Sequence, residues 1–72
     1  MLSADPSPET LGSRVLLARR EARLTQRQVA ARARVAVMTV SRIERGLTTP
    51  DLRTVAKLAA ALELGVTDLL RA

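Results

Sequence analysis

TQRQVAARARVAVMTVSRIERG, residues 25–46, decides the fold. Thr25 followed three residues later by Gln28 predicts a capping box. The threonine hydroxyl takes the Gln28 amide hydrogen, and the glutamine side chain reaches back to the Thr25 amide. Val29, Ala30 and Ala33 then fall on one helical face, while Arg27 and Arg32 point elsewhere. Arg34-Val35-Ala36 breaks the pattern as a tight turn. A second helix is expected over 37–45, with Val40 and Ile43 as its buried pair. Gly46 stops it, because glycine enters the left-handed conformation without steric cost. The stretch is therefore two short helices with an apolar underside and an arginine-rich surface.

Upstream, Thr10 is the expected N-cap of a helix over 11–23. Leu11, Val15, Ala18 and Ala22 recur at three- and four-residue steps and form its inner stripe. Leu16 and Leu17 broaden that stripe, leaving one of them to solvent or to a partner chain. Downstream, Thr48-Thr49-Pro50-Asp51 is a helix start, with Thr49 as N-cap, Pro50 as first helical residue and Asp51 near the positive helix end. That helix is expected over 50–62, with Leu52, Val55, Leu58, Ala59 and Leu62 inward. Gly65 is the expected stop, and Thr67-Asp68 caps a last short turn holding Leu69 and Leu70. No strand pattern occurs, so the fold class is all-α, five helices joined by short links. Residues 1–9 carry two prolines, two serines and two acids without apolar periodicity and read as a flexible lead-in. Residues 10–72 form the one domain.

Composition narrows the function. There is no Phe, Tyr or Trp, so the core is built from Leu, Val, Ile, Ala and Met. A core of that kind gives modest stability, to which dimer formation adds. Without Cys there is no disulfide or thiolate metal site, and without His the commonest general base and metal ligand is missing. No nucleophile–base pair, metal cluster or phosphate loop is present, so neither an enzyme nor a cofactor or metal is expected. No apolar run approaches the roughly 18 residues of a membrane span. The start lacks a signal-peptide pattern, so no membrane partner and a cytoplasmic location are expected. The net charge is +5, and its distribution is uneven. Residues 19–45 hold eight arginines against Glu21 and Glu44, a local net of +6, while the remainder sums to −1. Such concentration favours a polyanion.

Leu24-Thr25-Gln26, Val29-Ala30, Thr39-Val40-Ser41-Arg42-Ile43-Glu44-Arg45-Gly46, Pro50 and the closing Leu64-Gly65-Val66-Thr67-Asp68-Leu69-Leu70 resemble the phage-repressor and Cro-like (XRE-like) helix-turn-helix family. The resemblance covers residues 11–70. It implies a lambda-repressor-like DNA-binding domain and a sequence-specific regulator of transcription, a repressor, that inserts residues 37–45 into the major groove of double-stranded DNA. It also implies a two-fold homodimer on an inverted-repeat operator.

The resemblance assigns roles residue by residue. Val37, Met38, Ser41 and Arg42 are the candidates for reading base edges. Arg42 either bridges a guanine or pairs with a phosphate. Val37 and Met38 either touch thymine methyls or leave the base code weak, with more left to DNA shape. Thr25, Gln26, Arg27, Arg34, Thr39, Arg45, Thr48 and Thr49 are the candidates for phosphate contact. Arg20, Arg23, Arg32 and Arg34 serve equally well as solvated face or as DNA contacts. Glu44 is expected to turn inward and pair with Arg19, because outward it would repel DNA. Leu64, Val66, Leu69 and Leu70 are the candidate dimer interface, the alternative being closure of the domain's own core.

The chain also departs from the family pattern. Many relatives carry Gly where Arg23 and Arg34 stand, so a left-handed turn at Arg34 would be strained. Many have Ser or Thr where Ala36 stands, and Ala cannot cap the helix that follows, which costs about 1 kcal/mol. With the chain closing at Ala72, control is expected from concentration, dimerisation or another protein. A Cro-like repressor, a restriction-modification controller and an antitoxin subunit all fit this size. The alternative function is therefore an antitoxin or interaction module on the same fold, bound to a toxin partner.

Overall fold

A computed structural model describes residues 10–70; the proposed lead-in over 1–9 lies outside the described residues. Five helices follow one another: α1 Leu11–Glu21, α2 Gln26–Ala33, α3 Val37–Glu44, α4 Leu52–Ala61 and α5 Val66–Leu70. α3 packs against both α1 and α2, α4 against α2 and α5, and α5 closes back onto α1. No helix among the described residues is long and apolar enough to cross a membrane.

Every helix but α3 starts where a side chain takes an unpaired amide. The Thr10 hydroxyl accepts from the Ser13 amide at 3.1 Å. At α2 the capping box is complete: Gln28 N–H donates to Thr25 Oγ1 at 3.0 Å and Thr25 N–H to Gln28 Oε1 at 2.8 Å. α3 starts at Ala36 with no side-chain cap. α4 corrects the sequence reading. Its N-cap is Asp51, not Thr49, and Pro50 precedes the helix instead of opening it. Asp51 Oδ1 accepts the Thr54 amide at 2.8 Å. That backbone hydrogen bond, helped by the Thr54 hydroxyl, holds the Asp51 carboxyl below the usual carboxylate range. α5 also starts earlier than expected, at Val66. Asp68 Oδ2 accepts the Gly65 amide at 2.9 Å, so Asp68 closes the start from inside the helix and Thr67 does not cap it.

The helix ends share one device. After α1, α2, α3 and α4 the chain takes one left-handed residue, respectively Arg23 (φ 60°), Arg34 (φ 59°), Gly46 (φ 74°) and Glu63 (φ 59°). Each time, the next amide bonds back to a carbonyl five residues earlier: Leu24 to Arg19, Val35 to Ala30, Leu47 to Arg42 and Leu64 to Ala59, all between 2.8 and 3.0 Å. This is the Schellman stop, with a hydrophobic residue after the left-handed one. Glu63, not Gly65, carries the reversal after α4. Leu24, Val35 and Leu64 tuck against the core. Leu47 stays 65% exposed.

The core is aliphatic throughout: Val15, Val29, Val40, Ile43, Val55, Leu58 and Leu69 are buried, with Ala30, Ala33, Ala59, Ala61 and Leu62 between them. Two expected inner positions are not inside. Ala22 lies beyond the end of α1 and is exposed, and Leu52, at the first turn of α4, is 66% exposed. Gly12 and Ser13 are buried instead. A Cβ on Gly12 would run into the Ile43 carbonyl oxygen and stand 3.1 Å from that of Glu44. The crossing of α1 over the end of α3 therefore needs a residue without a side chain.

Two outcomes follow. Gly12→Ala forces backbone apart and should destabilise by about 1–3 kcal/mol in urea unfolding; an unchanged midpoint would show that the crossing has slack. Arg34→Gly removes the left-handed penalty against a smaller loss of unfolded-state entropy. It should stabilise by about 0.5–1 kcal/mol at unchanged m-value; a lower midpoint would mean that the arginine side chain holds the turn.

Candidate nucleic-acid interface

Burying Val40 and Ile43 fixes the rotation of α3. Met38 and Arg42 then face solvent, Arg45 stands exposed at the helix end, and Val37, Thr39 and Ser41 are half-buried. Val37 packs against the core, so only part of it is available to a partner. Arg27 and Arg34 are exposed at the start and end of α2, and Thr48 and Thr49 are exposed beyond α3. Ala36 leaves the first amides of α3 without a side-chain acceptor.

The one acid on α3 is withdrawn from this surface. Glu44 accepts from Arg19 in the forked geometry, Nε to Oε2 at 2.7 Å and Nη2 to Oε1 at 3.0 Å. The two side chains are 14% and 4% exposed. Arg19 Nη1 also donates to the Leu24 carbonyl oxygen at 3.0 Å, which ties the α1–α2 corner to the same guanidinium. A third donor was not foreseen from sequence. Gln26 Nε2 donates to Glu44 Oε1 at 2.9 Å. Gln26, proposed for phosphate contact, thus has one amide N–H engaged within the protein. Thr25 is likewise partly committed, its amide and hydroxyl both being in the capping box.

The expected dimer surface is divided. Leu69 is 1% exposed and belongs to the core of this chain, a correction to its place in the interface. Leu64 and Val66 pack partly against that core, and Leu70 is exposed. Arg14, whose role is not legible from sequence, donates to the Leu69 carbonyl oxygen at 3.0 Å. A cation thereby meets the carbonyl end of α5.

Comparison with known proteins agrees with this geometry. The sequence model of a helix-turn-helix family matches residues 15–69. The solved complex of the SinR protein with the SinI protein is similar at 33% identity and a TM-score of 0.81, covering 86% of this chain and 61% of that one. This chain thus spans about three fifths of that protein. The restriction-modification controller protein C.AhdI from Aeromonas hydrophila is similar at 27% identity and a TM-score of 0.82, covering 86% of this chain and 94% of that one. No curated protein sequence matches at the required level.

The buried pair can be tested by removing one partner and then both. Arg19→Met leaves the Glu44 carboxylate enclosed beside a thioether and should cost about 3–5 kcal/mol of stability. Arg19→Met with Glu44→Leu, which removes both charges, should be less destabilised than Arg19→Met alone. A double variant that is worse than the single one would place the stabilisation in packing and not in charge pairing.

Proposed function

Because this chain belongs to the phage-repressor and Cro-like (XRE-type) helix-turn-helix family, whose members are DNA-binding regulators of transcription, we propose that it is a repressor that seats α3 in the major groove, acting as a two-fold dimer on an inverted-repeat operator. The observation that carries the reading is the outward side of α3. It presents Met38, Arg42 and Arg45, while Glu44, the only acid on the helix, is turned into the protein. A groove lined with phosphates meets cations there and no opposing charge.

In this docking Arg42 and Met38 meet base edges, with Ser41 and the exposed part of Val37 beside them. Arg27, Arg34 and Arg45 take phosphates on either side, joined by Thr39, Thr48, Thr49 and the start of α2 at Thr25 and Gln26. Phosphate contact supplies most of the affinity and the bases supply the choice of site. Pairing two copies through Leu70 and the outer parts of Leu64 and Val66 would set the half-sites one turn apart.

A second reading is favoured by a separate observation. The SinR neighbour was solved with a protein partner, and Leu47, Leu52 and Leu70 of this chain are exposed. On that reading the domain is held by another protein, as an antitoxin is by its toxin, and DNA binding is secondary.

Selection of bound duplexes from a random pool separates the two. The repressor reading expects a palindrome and an affinity that falls with salt. The logarithmic slope should be about −3 per protomer if Arg27, Arg34 and Arg45 each neutralise one phosphate. Arg42→Ala should cost about 1–3 kcal/mol at one base position if it reads guanine. If Arg42 meets a phosphate, the loss should be uniform across sequences and the slope should shrink by about 1. No enrichment and no salt dependence would sink the repressor reading.

A further inference from the structure

We propose that Glu44 is a positioning residue for the Gln26 side-chain amide, turning one N–H of that amide outward to a DNA phosphate; the proposal rests on the DNA-binding reading above. The chemistry leaves no choice of orientation. A carboxylate only accepts hydrogen bonds, so of the two ends of the Gln26 amide only the NH2 can face it. The end-over-end flip that leaves glutamine side chains ambiguous is therefore closed here. Gln26 Nε2 donates to Glu44 Oε1 at 2.9 Å. The planar amide must then direct its second N–H away from Glu44.

Glu44 is itself held. Arg19 occupies both carboxylate oxygens, at 2.7 and 3.0 Å, and is anchored in turn on the Leu24 carbonyl oxygen. The carboxylate cannot swing away to release Gln26. Gln26 is the first residue of α2, where the amides of residues 26 and 27 have no acceptor within the helix. The amides of Thr25 and Gln28 are already used by the capping box. The outward side-chain N–H therefore joins the backbone donors of a helix start, where an anion is favoured.

Two consequences follow. A glutamine side chain normally loses rotamer freedom when it binds, and here that loss is taken on folding, before DNA arrives. In addition, one carboxylate both fastens α3 to α1 and orients the side-chain amide at the start of α2. The base-reading side chains and the backbone clamp therefore keep a fixed register to each other.

A double-mutant cycle of Gln26→Ala and Glu44→Gln tests this, read as affinity for a short mixed-sequence duplex at low salt. Glutamine at 44 keeps the shape but offers both a donor and an acceptor, so Gln26 is no longer held in one orientation. Glu44→Gln should weaken binding by about 3- to 10-fold in the native background and by much less in Gln26→Ala. A purely structural Glu44 would lower affinity equally in both backgrounds, and that result overturns the proposal. If the native protein fails to bind duplex at all, the DNA-binding reading falls as well, which is a different outcome from additive losses. A measurement on the unaltered protein covers the case in which Glu44→Gln does not fold. By NMR, one Gln26 Nε2 proton should be protected from exchange in the free protein, and the other should shift when duplex is added. Gln28, which is bonded through its carbonyl oxygen, serves as the reference. If both Gln26 protons exchange as fast as those of Gln28, the proposal is wrong.

Discussion

An acid on a helix meant for a polyanion creates the constraint around which this domain is arranged. Outward, Glu44 would offset one of the two arginines that α3 presents. Inward, it must be stripped of water, which is costly for a carboxylate unless its lone pairs are filled. The structure fills them with three donors, two from Arg19 on α1 and one from Gln26 on α2. Each donor comes from a different helix than the acceptor, so neutralising one charge also fastens α3 to both neighbours. The core on which this rests contains no aromatic ring and so has little depth. Close approach replaces bulk. Gly12 lets α1 lie against the carbonyls of Ile43 and Glu44, which brings Arg19 within reach of the carboxylate a few turns along.

The corners between helices show what happens when stop signals come from apolar residues as much as from glycine. All four reversals use a left-handed residue followed by a hydrophobic one, but only one of them is glycine. At Arg23 and Arg34 the backbone strain is accompanied by a cation near the negative end of a helix, which is electrostatically favourable. Both side chains are exposed on the cationic half of the sequence. Strain and surface charge therefore coincide at two corners beside the candidate interface. Glu63 takes the same conformation with the unfavourable sign, and nothing in the structure explains it.

What the sequence made legible was local. The Thr25–Gln28 box, the Thr10 cap, the Val40 and Ile43 pair and the Gly46 stop each depend on residues within a turn of one another. The start of α4 was misread because three capping residues, Thr48, Thr49 and Asp51, surround one proline, and local preference does not rank them. Leu52 shares the helical phase of Val55, Leu58, Ala59 and Leu62, but as the first residue of α4 it lies at the helix end and stays exposed. Gly12 was illegible because its role exists only once α1 crosses α3. The Gln26–Glu44 bond spans 18 residues and no periodicity announces it. Leu69 could be assigned neither to core nor to interface by counting apolar residues. Its burial under α1, with Arg14 on its carbonyl oxygen, is a tertiary fact.

The same division bears on how such a domain would choose its site. The proposed docking gives Arg27, Arg34 and Arg45 to phosphates, and phosphates carry no sequence information. The side chains left for bases are few: Arg42, the flexible Met38, half-buried Ser41 and part of Val37. A protomer of this kind gains affinity readily and discrimination poorly. Its specificity must come from elements that do not need more contacts: a second copy at fixed spacing, the deformability of the bound duplex, and the rigid register of α3 against the backbone clamp. Rigidity is the only one of the three that lies within the single chain, and it converges on the buried carboxylate of Glu44.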